Sequence, residues 1–194
     1  MLDSEQIIIL IVAAAIVLLA GVVITLRARH GRLRHERLKE RFGAEYDRVV
    51  AEKGGVANAE AELRERERRV SKQALRDLSP ADRERFHADW EAIQARFVDE
   101  PSAAVQAADQ LIKEVMLARG YSRESIDQRE VDLTVEHASV VDDFRSARAL
   151  AQQNREGRAD TEELRQAFVH YRALFADILK PPTRTERNLQ EAHA

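Results

Sequence analysis

The most continuous apolar pattern in the chain runs from Ile7 to Leu26, twenty positions without a charged residue. At about 1.5 Å rise per residue, a helix of this length spans roughly 30 Å, the thickness of a bilayer's hydrocarbon core. The pattern therefore predicts a transmembrane helix at 7–26, preceded by a short extracytoplasmic N-terminus at 1–6. A cleaved signal peptide would need a basic start, a shorter apolar core and a small-residue cleavage site, which are missing here.

The charges on the two sides of this run predict its orientation. The acids Asp3 and Glu5 precede it without any Lys or Arg, whereas a basic block follows it. Because basic flanks stay on the cytoplasmic side, we expect a single-pass protein of the inner (plasma) membrane with its C-terminal domain in the cytoplasm. The same block fits contacts with anionic lipid headgroups, each on the order of 1 kcal/mol. Its members are Arg27, Arg29, Arg32, Arg34, Arg37, Lys39 and Arg41.

Beyond the basic block, apolar positions recur at helical spacing, and no run of alternating β-branched residues occurs. This predicts an all-α protein, with a basic juxtamembrane helix at 27–53 that is interrupted at Gly43. An antiparallel helical bundle is predicted at 56–180, and a polar, disordered tail at 181–194. The polar stretch 121–137 predicts no particular element.

Two helices of the predicted bundle have clear start signals and aromatic stripes. Ser79 before Pro80 predicts one helix start, and Asp160 with Glu163 predicts another through a capping box. Helical spacing favours core packing over ligand binding for the aromatic residues of both helices. The two stripes are Phe86, Trp90, Ile93 and Phe97, then Leu164, Phe168, Tyr171, Phe175 and Ile178.

Two further segments have less regular apolar patterns. Leu174 and Leu179 lie off the last stripe, so that helix has a wider apolar face, which predicts either a second helical neighbour or a partner surface. The segment from Val56 to Leu75 pairs Glu and Arg at i, i+4 and is typical of a solvated helix with a thin apolar stripe.

Composition and motifs give little catalytic chemistry. Glu84 and His87 form one Glu-x-x-His unit, whereas di-iron bundles use two such units and two further glutamates. The chain has no cysteine, so thiolate sites and disulfides are excluded. After residue 41, acidic side chains outnumber basic ones, which argues against a nucleic-acid partner. We therefore predict no catalytic residue, no cofactor and no metal.

Three functional hypotheses remain. The leading one is a non-enzymatic membrane protein whose cytoplasmic helical domain is a protein-interaction or scaffold module. The second is a structural homo-oligomer, held through Gly21 and Thr25 in the bilayer and through the Leu63 and Val70 stripe outside it. The third is a metal-dependent enzyme of the bundle core that uses Glu84 and His87.

Three segments carry a resemblance to a group of bacterial proteins. They are RFGAEYDRVV at 41–50, the stretch from LSPADRERFHADW to MLARGY at 78–121, and TEELRQAFVHYRALFADIL at 161–179. Together they resemble uncharacterised bacterial membrane-anchored proteins with a helical cytoplasmic domain, over roughly residues 40 to 180. The resemblance implies the architecture, a membrane anchor and a helical domain, and it transfers no functional residue.

Overall fold

A computed structural model of the chain describes residues 18–19, 21–22, 25, 29, 32–73 and 75–180. The chain divides between Arg41 and Phe42 into two compact units, and in the first of them residues 32–41 are helical. The predicted span from Ile7 to Leu26 falls mostly outside the described residues. No helix formed by the described residues is long and apolar enough to cross a membrane.

The second unit consists of helices, and no strand occurs in its described part. The all-α prediction is therefore confirmed. In chain order the helices are α1 (Ala44–Lys53), α2 (Val56–Ser71), α3 (Pro80–Arg96), α4 (Pro101–Ala118), α5 (Ile126–Glu136), α6 (Val141–Arg155) and α7 (Thr161–Ile178), with a 3₁₀ turn at Ala138–Val140 before α6.

The local signals in the sequence mark several helix ends as predicted. The Ser79 hydroxyl accepts a hydrogen bond from the backbone N–H of Asp82 at 3.0 Å. At the start of α7, Asp160 and Glu163 form both 2.8 Å hydrogen bonds of a capping box. Gly54 ends α1 with φ at 71°, a left-handed conformation that glycine adopts without steric cost. These short-range interactions fix where the chain turns.

The main apolar core lies among α3, α4, α6 and α7. Each of the pairs α3–α4 and α6–α7 is joined by a short link and packed side by side, which makes its members antiparallel neighbours. The Trp90 ring stacks on Phe168 at 5.0 Å and on Phe175 at 4.8 Å between ring centroids. The predicted helical bundle and its aromatic core are confirmed.

A helical hairpin, formed by α1 and α2 and defined here as Ala44–Ser71, packs beside this bundle. Helix α2 lies on α5, and α5 lies on α6. One side chain of the predicted solvated helix, Arg66, is buried, so that prediction is corrected. Helix α2 is covered by α1 on one side and by α5 on another, which leaves only part of its charged surface in solvent.

Candidate functional site

Leu174 and Leu179 do not form a partner surface. Leu174 is 0% exposed and Leu179 is 6% exposed, and both belong to the main core. This corrects the prediction of a docking surface at these residues. Helix α7 packs against both α4 and α6. Because a helix with two neighbours needs a wider apolar face than one stripe provides, these two contacts account for the apolar residues off the stripe. The first of the two predicted alternatives, a second neighbouring helix of the same chain, is the one that the structure contains.

The oligomer seam predicted outside the membrane is also corrected. Leu63 and Val70 are buried within the same chain, where α2 meets α1 and α5, so they are not available to a second copy. In the predicted span, the Thr25 hydroxyl donates to the backbone carbonyl of Val22 at 2.9 Å. Pairing of two spans through Gly21 and Thr25 stays a prediction.

The basic block is largely in solvent. Its side chains at Arg29, Arg32, Arg34, Arg37 and Lys39 are exposed, and that of Arg41 is half-buried. Arg27 lies outside the described residues. This exposure leaves the guanidinium and ammonium groups accessible to anions such as lipid headgroups, and that role stays a prediction.

Glu84 and His87, the candidate metal pair, are both exposed on α3. The His87 ring meets the Phe175 ring edge-on at 5.7 Å between centroids. No group of three or more His, Cys, Asp or Glu side chains within the described part of the chain is arranged to hold a metal ion.

Two other histidines each pair with an aspartate, and each pair includes one residue of α7. The Nδ1 atom of His137 lies 2.7 Å from Asp177, and the Nδ1 atom of His170 lies 2.6 Å from Asp143. The hydrogen bond from His137 lowers the pKa of Asp177 to about 2. Each pair joins α7 to the chain segment at or just before α6, so these imidazoles connect structural elements.

The main buried charge cluster centres on Glu45 of α1, a residue that the sequence reasoning did not single out. Its carboxylate accepts hydrogen bonds from Arg66 of α2 at 2.8 Å, from Arg48 at 2.9 Å and from Arg145 of α6 at 3.0 Å. Arg145 donates in turn to Glu130 of α5 at 2.7 Å. One carboxylate thus connects three helices, and Arg145 extends the network to a fourth.

The electrostatics of this cluster keep its members charged. Burial alone would raise the pKa of Glu45, but hydrogen bonds from its three arginines outweigh burial and lower that pKa. Burial alone would lower the pKa of Arg145, but hydrogen bonds to Glu45 and Glu130 outweigh it and raise that pKa. The cluster therefore holds opposite charges paired at neutral pH and is unsuited to exchanging protons there.

A second charge cluster centres on Asp132 of α5. Its carboxylate is fully buried and accepts hydrogen bonds from Arg69 of α2 at 3.1 Å and from Gln128 at 2.8 Å. Gln73, just after α2, also donates to it. This cluster ties the C-terminal end of α2 to α5.

A third buried polar group lies inside the bundle itself. The Tyr171 hydroxyl donates to Asp109 at 2.8 Å, and Lys113 reaches the same carboxylate at 2.6 Å. Burial, together with the negative charge of Asp109, raises the pKa of the Tyr171 phenol. A phenol that stays protonated is a permanent donor, so this pair satisfies the buried carboxylate and links α7 to α4.

The sequence contains only a faint signal for the Glu45 cluster. The i, i+3 spacing of Glu45 and Arg48 is visible locally, but Arg66 and Arg145 lie 21 and 100 residues away. In comparisons with known proteins, no family model, curated protein or solved structure matches the chain.

Proposed function

We propose that this chain is a non-enzymatic, single-pass protein of the inner membrane, whose helical bundle is a protein-interaction or scaffold module on the cytoplasmic side. The observation that carries the proposal is the uncharged run from Ile7 to Leu26, followed at once by a basic block and then by a folded helical domain. Such an arrangement holds a folded domain at a membrane surface, where it meets other proteins.

The buried charges of the domain support a structural role for its polar groups. Glu45, Asp132 and Asp109 each accept hydrogen bonds from side chains on other helices. In some proteins, buried ion pairs select one helix arrangement while adding little net stability. The polar groups of the interior are thus occupied in fixing one arrangement of helices, as a scaffold requires.

Membrane fractionation tests the anchor. We expect the full-length protein to stay in the membrane pellet after an alkaline carbonate wash, and a reporter fused after Ala194 to be active in the cytoplasm. Recovery of the native protein in the soluble fraction would overturn the anchor and with it the whole proposal.

Affinity purification from crosslinked membranes tests the module. We compare the tagged full-length protein with Ala108→Asp and Ala92→Asp, which introduce the same charge at a fully buried position of α4 and at an exposed position of α3. A carboxylate forced into the core unfolds the bundle, whereas the exposed change leaves it folded.

The proposal expects a partner recovered in stoichiometric amount with the native chain and with Ala92→Asp, and lost with Ala108→Asp. A partner retained by both variants would bind outside the folded bundle and would contradict the module. Recovery of the chain only with a second copy of itself would replace the proposal by the homo-oligomer, and substitution of both Gly21 and Thr25 by Leu would then be expected to dissociate it.

A further inference from the structure

The α1–α2 hairpin has its own small apolar core. Five of its buried apolar side chains lie outside the main core, which begins at Leu78 and includes only later residues. The five side chains are Tyr46, Val49, Ala59, Leu63 and Val70, and Phe42, immediately before the hairpin, is also buried outside the main core.

Charged and polar contacts cross the seam between the hairpin and the bundle. Glu45 accepts from Arg145 of α6 at 3.0 Å, and Arg69 donates to Asp132 of α5 at 3.1 Å. Gln73, just after the hairpin, donates to the same aspartate. Two separate carboxylate clusters therefore hold the hairpin, one on α1 and one at the end of α2.

The chain after the hairpin is fixed to the bundle independently of this seam. The backbone N–H of Arg76 donates to the carbonyl of Arg119, and its Nε donates to the carbonyl of Ala118, each at 2.9 Å. Leu78 then enters the main core. Opening of the seam would leave these contacts in place, so the chain at Arg76 and Leu78 would stay attached to the bundle.

The energetics of buried ion pairs favour separation along such a seam. Bringing the fully buried Asp132 out of water carries a large desolvation cost, and its attraction to Arg69 offsets much of that cost. When the seam opens, the ions regain hydration, whereas an apolar interface of equal area would only lose favourable burial. The net free energy that holds a charged seam closed is therefore smaller than its list of contacts suggests.

We propose that the α1–α2 hairpin, Ala44–Ser71, is a detachable arm, which opens from the bundle as a unit through the charged seam at Glu45–Arg145 and Arg69–Asp132 while the bundle stays folded. The open state uncovers the faces of α5 and α6 that the arm covers. This goes beyond the proposed function and does not depend on the membrane anchor.

Hydrogen exchange of the full-length protein in detergent micelles tests the arm. In the native chain we expect the amides of Ala44–Ser71 to share one opening free energy, lower than that of Pro101–Ala118 and Thr161–Ile178. Equal opening free energies for these three segments would overturn the proposal, since the arm would then open only in global unfolding.

Arg145→Met is the decisive variant, because the Glu45 and Glu130 carboxylates that it leaves each keep another arginine, and the third, Asp142, is exposed. Glu45 retains Arg66, and Glu130 retains Arg148 at 2.7 Å. We expect exchange in the arm to rise about tenfold, with α4 and α7 within about twofold of the native rate. The matched control Arg165→Met removes an exposed pair with Glu162 and should change neither set. An equal acceleration of all helices by Arg145→Met would contradict a separable arm.

A distance measurement gives a second readout, aided by the absence of native cysteine. Nitroxide labels on Ala51→Cys of α1 and Ala173→Cys of α7, both exposed, report the separation of arm and bundle. The proposal expects a longer-distance population that grows in Arg145→Met while far-ultraviolet circular dichroism stays unchanged. One unaltered distance distribution in that variant would overturn the proposal. If Arg145→Met fails to fold, Arg145→Lys, which keeps the charge but loses the forked contacts, replaces it in both measurements.

Discussion

Removal of the Phe175 ring should strongly destabilise the bundle. This ring is 3% exposed, stacks on Trp90 at 4.8 Å and meets the edge of His87. Truncation of a buried Phe to Ala typically costs about 3–5 kcal/mol, through lost transfer free energy and the cavity left behind. Because the exposed His87 can move partly into the space, we expect Phe175→Ala to cost about 3 kcal/mol.

The contribution of the ring stack to this cost can be separated from that of the lost volume. Aromatic pairs contribute about 0.5–1.5 kcal/mol beyond their buried area. Phe175→Leu keeps most of the side-chain volume but loses the ring contacts with Trp90 and His87, so we expect it to cost about 1–1.5 kcal/mol. The exposed control Val169→Ala, from the same helix, should stay within about 0.5 kcal/mol of the native protein.

Urea unfolding of the full-length protein in detergent micelles measures these differences. Trp90 is the only tryptophan, so its fluorescence reports directly on the ring stack, and circular dichroism reports on the helices. We expect the urea concentration at the unfolding midpoint to be highest for Val169→Ala, lower for Phe175→Leu and lowest for Phe175→Ala. A cost below about 1 kcal/mol for Phe175→Ala, or equal costs for the Ala and Leu variants, would refute the reasoning from burial and stacking.

Three further changes have defined outcomes. Glu45→Ala leaves the buried Arg66 with only one carboxylate partner, so it should destabilise by about 2–3 kcal/mol in urea titrations, and a near-neutral result would contradict the pairing. Asp177 has its pKa lowered from 3.8 to about 2, so the native carboxyl binds its proton more weakly than the unfolded one. The stability it contributes, about 2 kcal/mol, is present above about pH 4 and is lost as the pH falls to 2, so the difference between native and Asp177→Asn midpoints should shrink over that range. Asp160→Ala removes the cap of α7 and should cost about 1 kcal/mol, with Asp160→Ser restoring most of it in the same titration.

Local interactions explain why most helix ends and the aromatic core were predictable. Ser79 and Asp160 cap residues only three positions away, so the sequence contains both partners of each hydrogen bond. The stripe that includes Trp90 and Phe168 follows from helical periodicity, and its residues pack as that spacing implies. In these elements every level of the sequence pattern agrees with the fold.

Helix α5 was not predictable because a buried charge interrupts its apolar period. Asp132 is fully buried beside Leu133, so the face that enters the interior contains a carboxylate where a stripe should contain an apolar residue. Its Ser125 cap, which accepts from Gln128 at 2.9 Å, is a local start signal within the polar stretch 121–137. Leu174 shows a different limit of prediction from sequence. Its spacing indicates that it lies off the apolar stripe, but not which helix covers it.

The charged seam escapes prediction for a physical reason that also explains its form. Helix α2 has a narrow apolar stripe, which by itself permits neighbouring registers against α5 with similar buried area. Arg66 and Arg69 reach different carboxylates, Glu45 and Asp132, so a shift of one turn would leave buried charges unpaired. The ion pairs thus define the helix register that the apolar stripe leaves open. Because water can replace the partners of these charges, the same ion pairs allow both a single docked arrangement and the opening of the arm.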